Sequence, residues 1–101
     1  MQFNNTVAPD DIVGVLSALQ RTRYKLLKVL YDYGGPIRYR DLIRETALGE
    51  GAFYTNLRQL MYYGFISQQD RGVFQLTYKG KKLVEAVESG KLWEAIRSTL
   101  Q

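Results

Sequence analysis

At Gly64 the spacing of apolar residues changes from nearly four to two, and this switch limits what a chain of 101 residues can fold into. Before it, the stretch "GEGAFYTNLRQLMYYGF" puts Phe53, Leu57, Leu60, Met61 and Gly64 on one helical face. The opposite face carries Tyr54, Thr55, Arg58 and Tyr62, a surface of hydrogen-bonding groups with few charges. After it, Phe65 to Gln68 and Val73 to Leu76 alternate as two strands around Gln69-Asp70-Arg71-Gly72, where Gly72 can supply the positive φ of a hairpin loop.

Upstream, Pro9, Asp10 and Asp11 read as a helix start, since Pro suits the first turn and acids suit the positive end of the dipole. Ile12, Val13, Leu16 and Leu19 continue it as an apolar stripe. Thr22 is read as a cap or bend before a second helix with Tyr24, Leu26, Leu27, Leu30 and Tyr33 apolar. Gly34-Gly35-Pro36 stops that helix. Ile37-Arg38 forms a very short extended segment. A third helix from Arg40 turns Leu42, Ile43 and Ala47 inward and Arg40 and Arg44 outward, and Leu48-Gly49 closes it. The fourth helix runs from Glu50 to Tyr63, with Gly49 at its cap. Thr77 caps a fifth helix that carries Leu83, Val84 and Val87 on one side. Ser89-Gly90 breaks the register, and Leu92, Trp93, Ile96 and Leu100 resume it in a terminal helix.

The chain has no Cys and no His, which removes disulfides, thiolate nucleophiles, the usual zinc sites and the commonest general base. It shows no phosphate loop, nucleophile elbow or metal-ligand spacing. A non-enzyme without cofactor is therefore expected. No apolar run reaches the ~20 residues that span a bilayer. The start "MQFNNTVAPDD" lacks the basic and apolar parts of a signal peptide, so a cytoplasmic, membrane-free protein is expected. The net charge of +4 is unevenly spread. Residues 21–48 carry seven basic side chains against three acidic, and residues 78–101 carry five against three. Residues 49–77 balance at two of each. Positive charge flanks the fourth helix, an arrangement suited to an anionic partner such as nucleic acid.

Short helix, turn, longer helix and tight hairpin follow one another here. The segments "ALQRTRYKLLKVLYDYGG", "IRYRDLIRETAL", "GAFYTNLRQLMYYGFI" and "RGVFQLTYKGKKLVEAV" together resemble the winged helix-turn-helix transcription regulators of the MarR and ArsR kind. Leu57, Leu60 and Gly64 before a strand carry the resemblance, as do Leu76-Thr77 with Gly80. It implies one mainly α domain over residues 1–101 with a small β-hairpin. Residues 9–20 form an N-terminal helix, 22–76 the winged helix-turn-helix core, and 78–100 C-terminal dimerisation helices.

The implied function is a dimeric protein that binds double-stranded DNA, a transcription regulator in the nucleoid. Helix 50–63 would enter the major groove and the wing tip, 69–72, would meet the minor groove. Base contacts are expected from Gly51, Ala52, Tyr54, Thr55 and Arg58, with Asn56 and Gln59 at the flanks. Glu50 would be repelled by phosphate unless it reads a cytosine amino group. Backbone contacts are expected from Arg38, Arg40, Arg44 and Lys79, and a wing contact from Arg71. Lys81 and Lys82 extend the same positive rim. Ile12, Leu16, Leu92, Trp93, Ile96 and Leu100 are expected at the dimer interface. Tyr31, Tyr33, Tyr62 and Tyr63 are read as straddling core and surface. Two other roles fit the same pattern: an architectural or DNA-partition protein of the centromere-binding type, and a winged-helix module that binds another protein.

Overall fold

Each helix forms where apolar residues recur three and four apart, and each stops at a residue that can leave helical space. The computed structural model describes residues 9–92 together with 94 and 97, with side chains from Ile12 onward. Helix α1 spans Pro9–Ala18 and α2 spans Arg21–Tyr33. Leu26, Leu27 and Leu30 of α2 are buried, and Gly34 ends it at φ 83°, its N–H bonding to the Leu30 carbonyl. The extended residue before α2 is Gln20, so Thr22 is neither cap nor bend but part of the first turn.

Strand β1 is Ile37–Arg38, and α3 runs Tyr39–Thr46. Here two expectations are corrected. The helix closes at Ala47, which takes φ 55° and donates its N–H to the Ile43 and Arg44 carbonyls. Ala47 thereby turns outward and is exposed, while Thr46 is fully buried in its place. Thr46 tolerates burial because its hydroxyl donates to the Ile43 carbonyl at 3.1 Å, so no polar group is left unpaired.

Helix α4 is Glu50–Tyr62, with Phe53, Leu57 and Leu60 buried and Gly49 extended at its start. Gly64, at φ 82°, turns the chain so that the Phe65 N–H still reaches the Leu60 carbonyl at 2.9 Å. Strands β2 (Ile66–Asp70) and β3 (Val73–Leu76) follow. They enclose a two-residue turn, Arg71-Gly72, tighter than the four-residue loop expected. Gln68 lies opposite Phe74 and Asp70 opposite Val73, so Gln69 is the extra residue of a bulge. Ile37-Arg38 joins the hairpin by pairing with Phe74 and Val73, giving an antiparallel sheet in the order β1-β3-β2.

Helix α5 is Tyr78–Glu88. Thr77 starts it and fastens three elements. Its oxygen accepts from the Gly80 N–H at 3.1 Å, its hydroxyl donates to the Gly64 carbonyl at 2.6 Å, and its N–H donates to the Phe65 carbonyl at 3.1 Å. Gly80 is required by this approach: a Cβ there would lie 2.3 Å from the Phe65 oxygen.

The core draws on all these elements: Leu26, Leu30, Ile37, Leu42, Phe53, Leu57, Phe65, Phe74 and Val84 meet in one cluster. Helix α1 closes it from one side with Ala18, and Gly14 lets α1 settle against the Tyr63 ring. Val13 and Leu16, on the outer side of α1, stay 52% and 57% exposed. Leu92 is helical and half-buried against the core, and Ile12 is also half-buried. Trp93, Ile96 and Leu100, expected at a dimer surface, lie outside the described residues. Helices α3 and α4 joined by a tight turn, followed by the β2–β3 hairpin, make this a winged helix-turn-helix with added terminal helix. No described helix is long and apolar enough to cross a membrane.

Candidate nucleic-acid interface

Burying Phe53, Leu57 and Leu60 forces the opposite side of α4 into solvent. Gly51, Ala52, Tyr54, Thr55, Arg58, Gln59 and Tyr62 are all exposed there. Thr55 and Arg58 have no hydrogen-bond or ion-pair partner among the described residues, so both can turn toward a ligand. Gly49 supplies no side-chain cap, and the first intrahelical-type bond runs from the Phe53 N–H to the Gly49 carbonyl. The earlier N–H groups therefore face outward beside two small residues.

Tyr39 connects this face to the hairpin, and no sequence motif announced it. Its ring stacks on Tyr54 (centroids 5.4 Å apart, planes at 21°) and meets Phe53 edge-on at 5.5 Å. Its hydroxyl donates to Glu50 Oε2 at 2.8 Å. Its backbone N–H donates to the Gly72 carbonyl at 2.7 Å. One residue thus holds the start of α4 and the hairpin turn in fixed relation. The bond to Glu50, with partial burial and the neighbouring Tyr54, raises the Tyr39 hydroxyl to about 12. The only available signals in sequence were the position after a two-residue strand and the aromatic pair Phe53-Tyr54, too little to identify such a joint.

The cations divide into free and committed. Arg38 lies in β1 opposite Val73, beside the Gly72–Tyr39 bond, and is exposed. Arg40, exposed at the start of α3, and Arg71, exposed in the turn, join it in having no partner among the described residues. The Asp70 carboxylate accepts the Arg71 backbone N–H at 2.7 Å, which shapes the turn and leaves the guanidinium free. Arg44 pairs with Asp41 at 2.7 Å in a well-exposed contact, worth little and easily exchanged. Lys79 is more firmly engaged: its ammonium donates to the Tyr63 carbonyl at 2.7 Å and sits 4.7 Å from the Phe65 ring centre. It closes the last turn of α4, where a cation complements the dipole.

Asn56 is turned toward the body of the protein. Its amide donates to the Ala52 carbonyl at 2.7 Å and accepts from Arg23 Nε at 2.9 Å. Arg23 also donates to Ser17, so it ties α1 and α4 through α2. Of the tyrosines, Tyr31 and Tyr63 are half-buried as expected, whereas Tyr33 and Tyr62 are 60% and 81% exposed. The Tyr62 ring meets the Tyr63 ring edge-on at 5.0 Å and is otherwise open to solvent. Phe74 is buried, so the sheet offers no aromatic platform for single strands. Among the described residues no cluster of acidic side chains is arranged to hold a metal ion.

Several solved structures share this fold. Quinone-bound YodB from B. subtilis matches with a TM-score of 0.68 at 19% identity, over 88% of this chain and 98% of that one. NadR in complex with 4-hydroxyphenylacetate gives 0.64 at 21% identity, over 90% of this chain and 71% of that one. The ArsR family transcriptional regulator RHA00566 gives 0.63 at 24% identity, over 88% and 96%. At such identities the likeness establishes the fold. No family model and no curated protein sequence matches the chain.

Proposed function

We propose that the protein is a dimeric, sequence-specific binder of double-stranded DNA that acts as a transcription regulator. The reading is carried by one observation. Arg38 and Arg71, both unpaired among the described residues, adjoin the Tyr39 joint that holds the open, polar face of α4. In the groove, Tyr54, Thr55 and Arg58 meet base edges, with Arg58 suited to guanine O6 and N7. Gly51 and Ala52 let the helix backbone come close. Arg38 and Arg40 take phosphates, and Arg44 adds a third contact by exchanging Asp41 for a phosphate. Arg71 enters the adjacent minor groove, where negative potential is concentrated. Lys79 serves the protein's own α4 terminus instead. The exposed outer side of α1, with Val13 and Leu16, joins two copies.

Selection of bound sequences from a random duplex pool tests this reading directly. A discrete palindromic site is expected. Arg58→Ala should alter base preference at one position in each half-site. Arg40→Ala should weaken all sequences alike and reduce the dependence on salt by about one phosphate. Spreading along any duplex would favour an architectural or partition role. A complete lack of duplex binding at low salt would overturn the reading in favour of a protein-interaction module, which the low charge of the α4 face would suit.

A further inference from the structure

The start of α4 carries a carboxylate, Glu50, on the face that meets DNA under the reading above, and this inference rests on that reading. An acid so placed is costly beside phosphates and must be turned to some use or held away. Its helix-dipole role explains an acid in the first turn but not the contact it makes. The Tyr39 hydroxyl donates to Glu50 Oε2 at 2.8 Å. Tyr39 cannot easily follow a wandering side chain, because Phe53 and Tyr54 hold its ring and Gly72 holds its N–H. Glu50 is thereby fixed through one oxygen, and Oε1 is left to accept.

We infer that Glu50, positioned by Tyr39, is a specificity-determining residue that reads a cytosine amino group in the major groove. An ionised carboxylate only accepts hydrogen bonds. Guanine offers two acceptors there and thymine one, so both repel it. Adenine offers an amino group beside the N7 acceptor, a mixed edge. Cytosine alone presents its amino group without a neighbouring acceptor on the same base. Gly51 is exposed and lacks a side chain, so the position after Glu50 leaves room for a base pair to approach. Tyr39 is a positioning residue: it orients the carboxylate and touches no base.

The test is duplex-pool selection with the full chain and with Glu50→Ala, Glu50→Gln and Tyr39→Phe, each first checked for folding by thermal melting. The wild-type site should contain one cytosine per half-site whose replacement weakens binding about ten-fold, the discrimination expected of one good base contact. Glu50→Ala should erase that preference and leave the other positions unchanged. Glu50→Gln should move it toward adenine. Tyr39→Phe, which keeps the ring stack, should retain the cytosine but cut its preference several-fold. A wild-type site without cytosine at any fixed position overturns the inference and leaves DNA binding standing. So does a Glu50→Ala profile identical to wild type, whatever its melting point. A Tyr39→Phe profile identical to wild type overturns the positioning role. No duplex binding by the wild-type chain would overturn the function and this inference together.

Discussion

Two glycines illustrate how differently single residues serve this chain. Gly80 is fixed by packing, since a Cβ there would strike the Phe65 carbonyl oxygen. Gly80→Ala should therefore lower stability by about 1–3 kcal/mol, the usual cost of overpacking, seen as a lower urea midpoint. Gly51 sits in the first turn of α4 with nothing within 4 Å of the position a Cβ would take. Gly51→Ala should raise stability by about 0.5–1 kcal/mol, because alanine is the better helix former. It should nonetheless weaken DNA binding if the helix backbone approaches the duplex there, so melting and binding should move in opposite directions. Tyr39 adds a pH dependence. Its hydroxyl is raised from 10.0 to about 12 by its bond to Glu50, so it stays protonated in the fold when a free tyrosine would ionise. The stabilising contribution is present below pH 10 and is lost as pH climbs through 12. An ultraviolet titration should show late-ionising tyrosines, of which Tyr39→Phe removes one and leaves Tyr24, raised by burial and its bond to Glu88. Gly80 was singled out in the sequence only as part of the family resemblance, together with Leu76-Thr77. Tyr39 was not, because its importance comes from partners 11, 15 and 33 positions away (Glu50, Tyr54 and Gly72).

At the level of elements, the sequence revealed what depends on local periodicity and hid what depends on pairing. Helix α4 was readable to within one residue because Phe53, Leu57 and Leu60 recur at helical spacing. The cap at Thr77 was readable because a threonine hydroxyl there reaches the Gly80 N–H three residues on. The end of α3 was misread because a left-handed residue is usually glycine, and here Ala47 takes that conformation. Strand β1 is two residues long, and its place beside β3 follows from partners 35 and 37 positions later that no local pattern encodes. The Thr77 junction gives the test at this scale. Thr77→Ala removes a cap and the bond to the Gly64 carbonyl, leaving that oxygen unpaired in a part-buried site. A loss of about 1–3 kcal/mol is expected, read from denaturant midpoints. Thr77→Ser should recover most of it, since the hydroxyl returns.

For the whole molecule, the proposed function raises the question of how one small domain would grip enough DNA. Under that proposal, one copy with a single α4 and a handful of arginine contacts falls short of the affinity of a specific regulator, whereas two copies related by a two-fold axis reach it. The outer side of α1 offers the exposed Val13 and Leu16 for such a contact, well removed from the core they leave undisturbed. Leu16→Lys should therefore preserve the thermal unfolding of the protomer while shifting sedimentation toward the monomer. Binding to a two-half-site duplex should fall by at least ten-fold, and binding to an isolated half-site should stay as it was. The geometry adds a second arm. A two-fold pair would set the α4 helices about 34 Å apart, one turn of B-DNA, so both enter the same side of the duplex. Inserting about five base pairs between half-sites rotates one of them to the far side. The wild-type protein should then bind no better than Leu16→Lys does. Inserting a full turn should restore part of the affinity only if the joint between copies can stretch, which the packing of α1 through Gly14 onto Tyr63 opposes. Should Leu16→Lys sediment and bind as the wild type does, the contact between copies lies elsewhere, and the α1 face is surplus to DNA binding.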